Sequence, residues 1–498
     1  MDEINPEIDL AEIKSRSIRG MATLTGGGVI LTLISGVGVL LLTTFLGPQE
    51  FGIYGLVASI IVILGYFSDI GLAASLIQKK EALTTADLRT TFTIQQILVL
   101  ILLTLTLTLT KFIFGFYHLS GPAVWLFYSL LAAFFMSSLK SIPSVILERS
   151  LRFDRIMLVR IAESLIFNIT AVVLAIRGFG IGSYVPAILL QSLAGLILIY
   201  VFSPWSVGLA FSKGALKKLL KFGVPYQINS LLAVAKDQFV NLFLYKIVGT
   251  AGMGLVNWGF YYSQMPQRLV MDNATKVAFP ALSRIQDHPR ELKHSVEQLL
   301  QFICLVIFPG LIAIALAWSH LAYLVPKWFK WQPALIPLYL FCFSAAFSCL
   351  STPLTNTLYA LGKAKINTYL MIMWLVLEWL FKPALALRFG YLGVAYAAAV
   401  ISFSSLVPFI IAQRIIKFNV AKSMKVAALS GLMMIIAGLL SHRFGIVLTL
   451  VSSGLAYLLG LVIFGGHTLI SDIKPFYHAL RGYRGLRALG GGVARDIL

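Results

Sequence analysis

Charge is scarce in this sequence. Asp, Glu, Lys and Arg together make up 12% of its 498 residues, about half the share that keeps a soluble domain in water. That shortage excludes a soluble enzyme, a soluble nucleic-acid-binding protein and a disordered scaffold, all of which need a charged or polar exterior. Cysteine is nearly missing. Cys304, Cys342 and Cys349 all fall in apolar runs, and an odd number of thiols there argues against a disulfide framework and for plain apolar packing. No GxxxxGK[ST] phosphate loop, HExxH or CxxC pairing is present, so the chain carries no ATP motor of its own and none of those metal centres. The seven histidines are scattered, mostly in loops, without ligand spacing. No catalytic residue, metal or cofactor is expected, and no nucleic-acid partner. No small-residue cleavage site ends the first apolar run, which therefore reads as an uncleaved span.

Apolar residues are what the chain has in quantity, 58% of the total. A bilayer core takes about 20 of them per helix. Fourteen spans can be drawn, over 24–46, 52–68, 90–110, 122–141, 156–176, 181–202, 224–245, 252–272, 298–318, 333–359, 366–387, 391–413, 424–440 and 444–466. The fold class is thus an all-α polytopic membrane protein. Of the 40 Lys and Arg, 31 fall on the side of the termini and 8 on the other, with Lys236 left inside span seven. Basic residues gather in cytoplasmic loops, so the near-fourfold bias supports both the even count and cytoplasmic termini.

A weak internal repeat adds organisation. FLGPQEFGIYG, with Gly47 and Gly52, and IVGTAGMGLVN, with Gly249 and Gly254, lie 202 residues apart. Each is a glycine-bearing turn joining two spans. Two related six-span halves would put a substrate path at their interface. The expected organisation is a tail at 1–23, a first lobe at 24–202, a linker at 203–223, a second lobe at 224–413, two further spans within 424–466 and a basic tail at 467–498. The linker holds Lys213, Lys217, Lys218 and Lys221. These and Arg149, Arg152 and Arg155 read as topology signals that contact anionic headgroups, with recruitment of a diphosphate lipid as the sharper alternative.

Polar groups inside spans are costly and usually face water or each other. In span eight, Asn257, Tyr261, Gln264, Arg268, Asp272 and Thr275 follow steps of 3 and 4 and fall within about 80° of arc. They form a cavity lining or, alternatively, a hydrogen-bonded seam. Span seven carries Asn229, Ser230, Lys236, Asp237 and Asn241. Lys236 could hold an anionic substrate, and Asp237 could take a proton or sodium; an interhelical ion pair is the alternative. Arg160 and Glu163 in span five can pair at i,i+3, with Arg160 near the cytoplasmic end and Glu163 deeper. Glu378 and Lys382 are spaced for a local salt bridge, and Asp69 for a cap on the segment after it. The candidate cavity set is Lys236, Arg268, Asn257, Tyr261, Gln264, Asn229, Asn241 and Arg160. The candidate ion-coupling set is Asp237, Glu163 and Asp272. Only Glu50 of the 20 acids lies in a loop opposite the termini, which leaves a glycan polymerase or ligase without carboxylates on that face.

LGPQEFGIYGL at 46–56, DIGLAASLIQ at 69–78 and KVAFPALSRIQDHPRELKHSV at 276–296 together resemble polysaccharide transporters of the oligosaccharide-flippase family. That family includes the Wzx-type flippases of O-antigen and exopolysaccharide repeat units. The resemblance covers nearly the whole chain and is weakest beyond about 420. It implies the two-lobed fold shared with multidrug extruders (MATE) and lipid II flippases. It also implies transfer of undecaprenyl-diphosphate-linked glycans across the bacterial cytoplasmic membrane, alongside polymerase or export machinery. It implies a cationic cavity, which Lys236, Arg268 and Arg160 would suit. The alternatives within the fold are a lipid II flippase and a multidrug cation antiporter.

Overall fold

The computed structural model describes residues 10–466 except 80. Inside its helices the side chains of 10–19, 21, 22, 222, 224–226, 228–230, 272–277, 279–281 and 421–423 lie outside the description. Nineteen α-helices follow one another, with no strand among the described residues. They are α1 (Leu10–Phe45), α2 (Pro48–Ser68), α3 (Leu72–Gln78), α4 (Thr85–Thr108), α5 (Thr110–Tyr117), α6 (Pro122–Leu139), α7 (Ser141–Arg149), α8 (Phe153–Ile176), α9 (Tyr184–Phe202) and α10 (Lys213–Val234). Then come α11 (Val240–Ser263), α12 (Met265–Arg284), α13 (Pro289–Leu324), α14 (Leu335–Ala360), α15 (Ala364–Phe389), α16 (Tyr391–Ser402), α17 (Leu406–Ile416), α18 (Val420–Ser441) and α19 (Ile446–Gly466).

Thirteen helical runs are long and apolar enough to cross a membrane. One of them, Leu231–Met271, has 41 residues. At 1.5 Å per residue it is about 60 Å long, twice the hydrocarbon thickness. It is broken at Gly249, whose φ of 79° lies outside the helical range and is a conformation glycine adopts without strain. The run is therefore two spans meeting at Gly249, which brings the count to fourteen. The outward faces stay apolar: Leu440 and Val462 are 74% and 75% exposed, as lipid contact allows and water does not. This is a multi-pass membrane protein.

Short polar motifs set the helix ends. Pro48 opens α2, and Glu50 Oε2 accepts from the Gly47 N–H at 2.9 Å, filling a donor the helix start leaves free. Asp69 Oδ1 accepts from the N–H groups of Leu72 at 2.8 Å and Ala73 at 3.3 Å, so it caps α3 as its spacing predicts. The Thr84 and Asp87 side chains do the same reciprocally for α4.

The chain divides into two compact units. The first comprises 1–276, 322–345 and 363–404; the second comprises 277–321, 346–362 and 405–498. The first has its main core around Leu42, Leu56, Phe127, Ala187, Leu244 and Val394. The second packs Leu292, Leu300, Leu354, Ala412 and Phe418 together. All three cysteines are free and buried.

Candidate functional site

The two glycine turns of the repeat meet in the structure. A Cβ on Gly52 would lie 1.7 Å from the Thr250 carbonyl oxygen, and one on Gly254 would lie 1.7 Å from the Pro48 carbonyl oxygen. Pro48 and Thr250 are themselves 202 residues apart, as are Gly52 and Gly254. The contact is thus reciprocal, backbone on backbone, between α2 and α11. Any side chain at either glycine would force the helices apart. A 3₁₀ segment, Pro326–Ala334, lies over this end. Trp331 is fully buried and stacks on Trp258 at 5.2 Å between ring centres. Its Nε1 donates to the Thr43 carbonyl at 2.9 Å, and Trp328 Nε1 donates to Thr44 Oγ1 at 2.9 Å.

The opposite end of α2 is fastened as well. Gln227 Nε2 donates to the Tyr66 carbonyl at 2.6 Å, and Tyr66 Oη donates to the Gln227 carbonyl. A Cβ on Gly71 would lie 2.3 Å from the Gly223 carbonyl oxygen, and Ser75 Oγ donates to the Leu219 carbonyl at 2.8 Å. Helices α2 and α3 are therefore held to α10 and α11 at both ends.

Between these two fastenings lies the charged part of span seven. Ala235–Phe239 is a π-helical turn. Such turns add a residue to the helical repeat and leave carbonyls short of partners. Trp379 Nε1, on α15, donates to the Ala235 carbonyl at 3.1 Å. Lys236 Nζ donates to its neighbour Asp237, with the carboxylate about half exposed and the lysine mostly covered. The ion pair offered as the alternative reading is thus made between sequence neighbours on one helix and not between helices. Asn241, one turn on, is half-buried. The side chains of Asn229 and Ser230 lie outside the described residues.

The span-eight stripe divides. Asn257 Nδ2 donates to Tyr245 Oη at 2.6 Å, so this end takes part in a seam. Gln264 stands where α11 ends and α12 begins, its own N–H bonded to the Phe260 carbonyl at 3.1 Å. Arg268 is exposed and lies over the Tyr261 ring, 5.1 Å from its centre, a cation–π contact. The side chains of Asp272 and Thr275 lie outside the described residues.

In span five, Glu163 accepts from Lys140 Nζ at 2.5 Å, so its partner comes from the α6–α7 junction and not from Arg160 on its own helix. Arg160 is exposed. Burial raises Glu148 above the usual carboxylate range, and the Arg160 charge partly opposes the rise. Glu378 and Lys382 form the expected i,i+4 pair at 2.5 Å. Two members of the basic clusters are tied to backbone: Arg149 donates to the carbonyls of Leu76, Lys79 and Glu81, and Arg155 to that of Phe202.

Comparison with known proteins decides the family. A model of the polysaccharide biosynthesis protein family matches residues 41–327, more than half of the chain. The protein belongs to that family. The lipopolysaccharide biosynthesis protein WzxC of Escherichia coli (strain K12) is 23% identical over 410 residues, covering 78% of this chain and 81% of that one. Among solved structures, the lipid II flippase MurJ in an inward closed conformation matches with a TM-score of 0.66 and 14% identity, over 90% of this chain and 99% of that one. An inward-facing MATE transporter of the MOP superfamily matches at 0.55 and 18% identity, over 79% and 94%. The fold is thus the MATE-like one that the resemblance implied.

For this family member, sequence reasoning missed three features, two in the first unit and one in the second. Lys140 counts in the sequence as a loop charge, yet it is a mostly buried partner of Glu163. The π turn at 235–239 leaves no mark in hydropathy. His320 and His442, far apart in sequence, stack at 4.0 Å within the second unit. The tryptophans of 326–334 did give a signal, since WFKW is an unusual composition for a short polar loop.

Proposed function

We propose that this transporter of the polysaccharide biosynthesis family moves polyprenyl-diphosphate-linked oligosaccharides across the cytoplasmic membrane by alternating access. The cargo would be an O-antigen, capsule or exopolysaccharide repeat unit. The observation that carries the reading is Arg268, a cation exposed within a spanning segment and stacked on Tyr261. A positive charge so placed is costly unless water or an anion meets it. In a chain related to WzxC, a diphosphate headgroup is the anion of the right class. Moving that headgroup through hydrocarbon without a polar path is prohibitive, while the polyprenyl tail can stay in lipid.

In this reading, residues 24–202 and 224–413 form the two moving lobes, and both termini are cytoplasmic. Lys236, Asn229, Asn241, Asn257, Tyr261, Gln264 and Arg160 complete the headgroup path. The paired Lys236 and Asp237 fit a site where an anion and a carboxylate compete for one ammonium. Asp237, Glu163 and Asp272 are the candidate carriers of a coupling proton or sodium ion. The likeness to MurJ favours a second reading, in which the cargo is lipid II.

A binding titration tests the class of cargo. Purified protein in detergent is expected to gain thermal stability with an undecaprenyl-diphosphate oligosaccharide. It is expected to gain little with the same sugar on a neutral lipid, or with a hydrophobic cation. Stabilisation by the cation alone would favour a drug antiporter, and stabilisation by lipid II alone would favour the second reading.

A further inference from the structure

The connection between α3 and α4 forms, together with α10, a polar cavity of about 300 Å³. Lys79, mostly buried, meets Asp87 there at 2.6 Å. Glu81 reaches the same ammonium only at 3.7 Å and is largely exposed. Gln78 and Lys218 line the same cavity and are exposed as well. Among the described ion pairs, Glu81 and Lys218 do not meet. The walls are held fast. Arg149 donates to the carbonyls of Leu76, Lys79 and Glu81, and Ser75 Oγ donates to that of Leu219 on α10 at 2.8 Å. The cavity is therefore formed before anything enters it, as small-molecule sites usually are.

Its depth follows from the spans. Residues 75–87 lie between spans two and three, and Lys218 lies just before span seven. Both connections follow an even number of crossings, so both are on the side of the termini, close to the headgroup layer. An apolar ridge runs beside the cavity. The Ala210 N–H donates to Thr93 Oγ1 and the Ser212 N–H to Thr90 Oγ1, each at 3.1 Å, which lays this segment along the start of α4. Val207, Leu209 and Phe211 are more than half exposed, while Gly208, Ala210 and Ser212 are half-buried. Alternate residues thus put three apolar side chains on one outer face, which suits acyl chains and not water.

We propose that this cavity binds the phosphoethanolamine headgroup of a membrane lipid, with the phosphate on Lys218 and Gln78, the ammonium on Glu81, and the acyl chains along Val207, Leu209 and Phe211. Charge selects this class. Lys79 and Asp87 offset each other, so the cavity offers one largely uncommitted charge of each sign, which a zwitterion matches and an anion does not. A primary ammonium donates charge-assisted hydrogen bonds to a carboxylate. A quaternary ammonium cannot, and is held instead by aromatic faces, none of which lines the cavity among the described residues. The site shares no residue with the headgroup path proposed above, so the lipid is a bound component of the fold and not cargo.

Titration of the purified full chain in detergent tests this, with thermal stabilisation as the readout and short-chain lipids as probes. Phosphatidylethanolamine is expected to bind several-fold more tightly than phosphatidylcholine or phosphatidylglycerol. Glu81→Gln is expected to abolish that preference, and Lys218→Ala to weaken binding of all three lipids several-fold. Lys217→Ala, an exposed neighbour outside the cavity lining, is expected to change neither. Glycerophosphoethanolamine, the same headgroup without acyl chains, is expected to bind several-fold more weakly than the lipid. Equal affinity for phosphatidylethanolamine and phosphatidylcholine in the wild type would overturn the site, as would a preference that survives Glu81→Gln. Phosphatidylglycerol bound most tightly, or a loss in Lys217→Ala equal to that in Lys218→Ala, would reduce the cavity to part of a basic surface and overturn it too. Glycerophosphoethanolamine bound as tightly as the lipid would overturn the lipid as the source of the headgroup. No transport is involved, so the proposal stands or falls separately from the function above.

Discussion

At the scale of single residues, cations within spans separate into two kinds. Lys140, Lys236 and Lys382 each meet a carboxylate, whereas among the described side chains Arg268 meets the face of a tyrosine ring. Removing a paired lysine leaves a charge without its counterpart, which costs about 3–5 kcal/mol when the site is buried. Lys140→Met is therefore expected to lower the Tm in detergent markedly, and Lys140→Met, Glu163→Gln together to recover most of the loss. Arg268→Ala is expected to cost about 1 kcal/mol of stability or less, because no partner among the described side chains is stranded, while weakening binding of a diphosphate lipid. A Tm loss as large as that of Lys140→Met would make Arg268 a packing residue. Glu148 supplies a pH dependence of defined sign. Its carboxyl is raised by burial, so over the range between the ordinary and the raised value the folded chain holds a proton the unfolded chain has lost. Stability from this group therefore falls as pH rises through that range. Arg160 opposes the rise, so Arg160→Ala is expected to steepen the fall in a pH series of thermal melts, and Glu148→Gln to flatten it.

At the scale of elements, the informative feature is the reciprocal glycine contact between α2 and α11. With a carbonyl oxygen 1.7 Å from either Cβ position, no rotamer can relieve the clash, and only separation of the helices can. Gly52→Val and Gly254→Val are each expected to weaken this arrangement by at least the 1–3 kcal/mol typical of overpacking. A lower Tm of the purified protein is expected for each variant; a Tm unchanged by valine at both positions would mean that the glycines are incidental. The repeat that carries this contact is legible in the sequence at an offset of 202, and so is the cap at Asp69, because glycine turns and Asx caps depend on local residues alone. The π turn at 235–239 is not legible. Its extra residue is compensated by a tertiary bond from Trp379, 144 positions away, and helical-wheel spacing assumes a uniform repeat. For the same reason Glu163 reads as a partner of Arg160, while the fold supplies Lys140 from another helix.

At the scale of the whole molecule, hydropathy and the placement of basic residues carry the fourteen spans almost unaided, since a bilayer imposes length and composition on every crossing. The one run the structure joins, Leu231–Met271, divides at a glycine the repeat already marks. What the sequence leaves open is which polar groups meet each other, because an α-helical stripe looks the same in a seam and in a path; Asn257, bonded to Tyr245, and Arg268, stacked on Tyr261, lie on one such stripe. The account rests on transport of a diphosphate-bearing glycolipid, and one measurement addresses it most directly. Purified protein is reconstituted into sealed liposomes that carry a fluorescent polyprenyl-diphosphate oligosaccharide, and an external glycosidase reports how much of the inner-leaflet headgroup becomes accessible. The account predicts protein-dependent exposure of the shielded pool, with the rate lowered at least about tenfold, roughly 1.4 kcal/mol of barrier, in a Lys236→Ala, Arg268→Ala double variant. A shielded pool that stays intact with wild-type protein, with and without an imposed proton or sodium gradient, would contradict it.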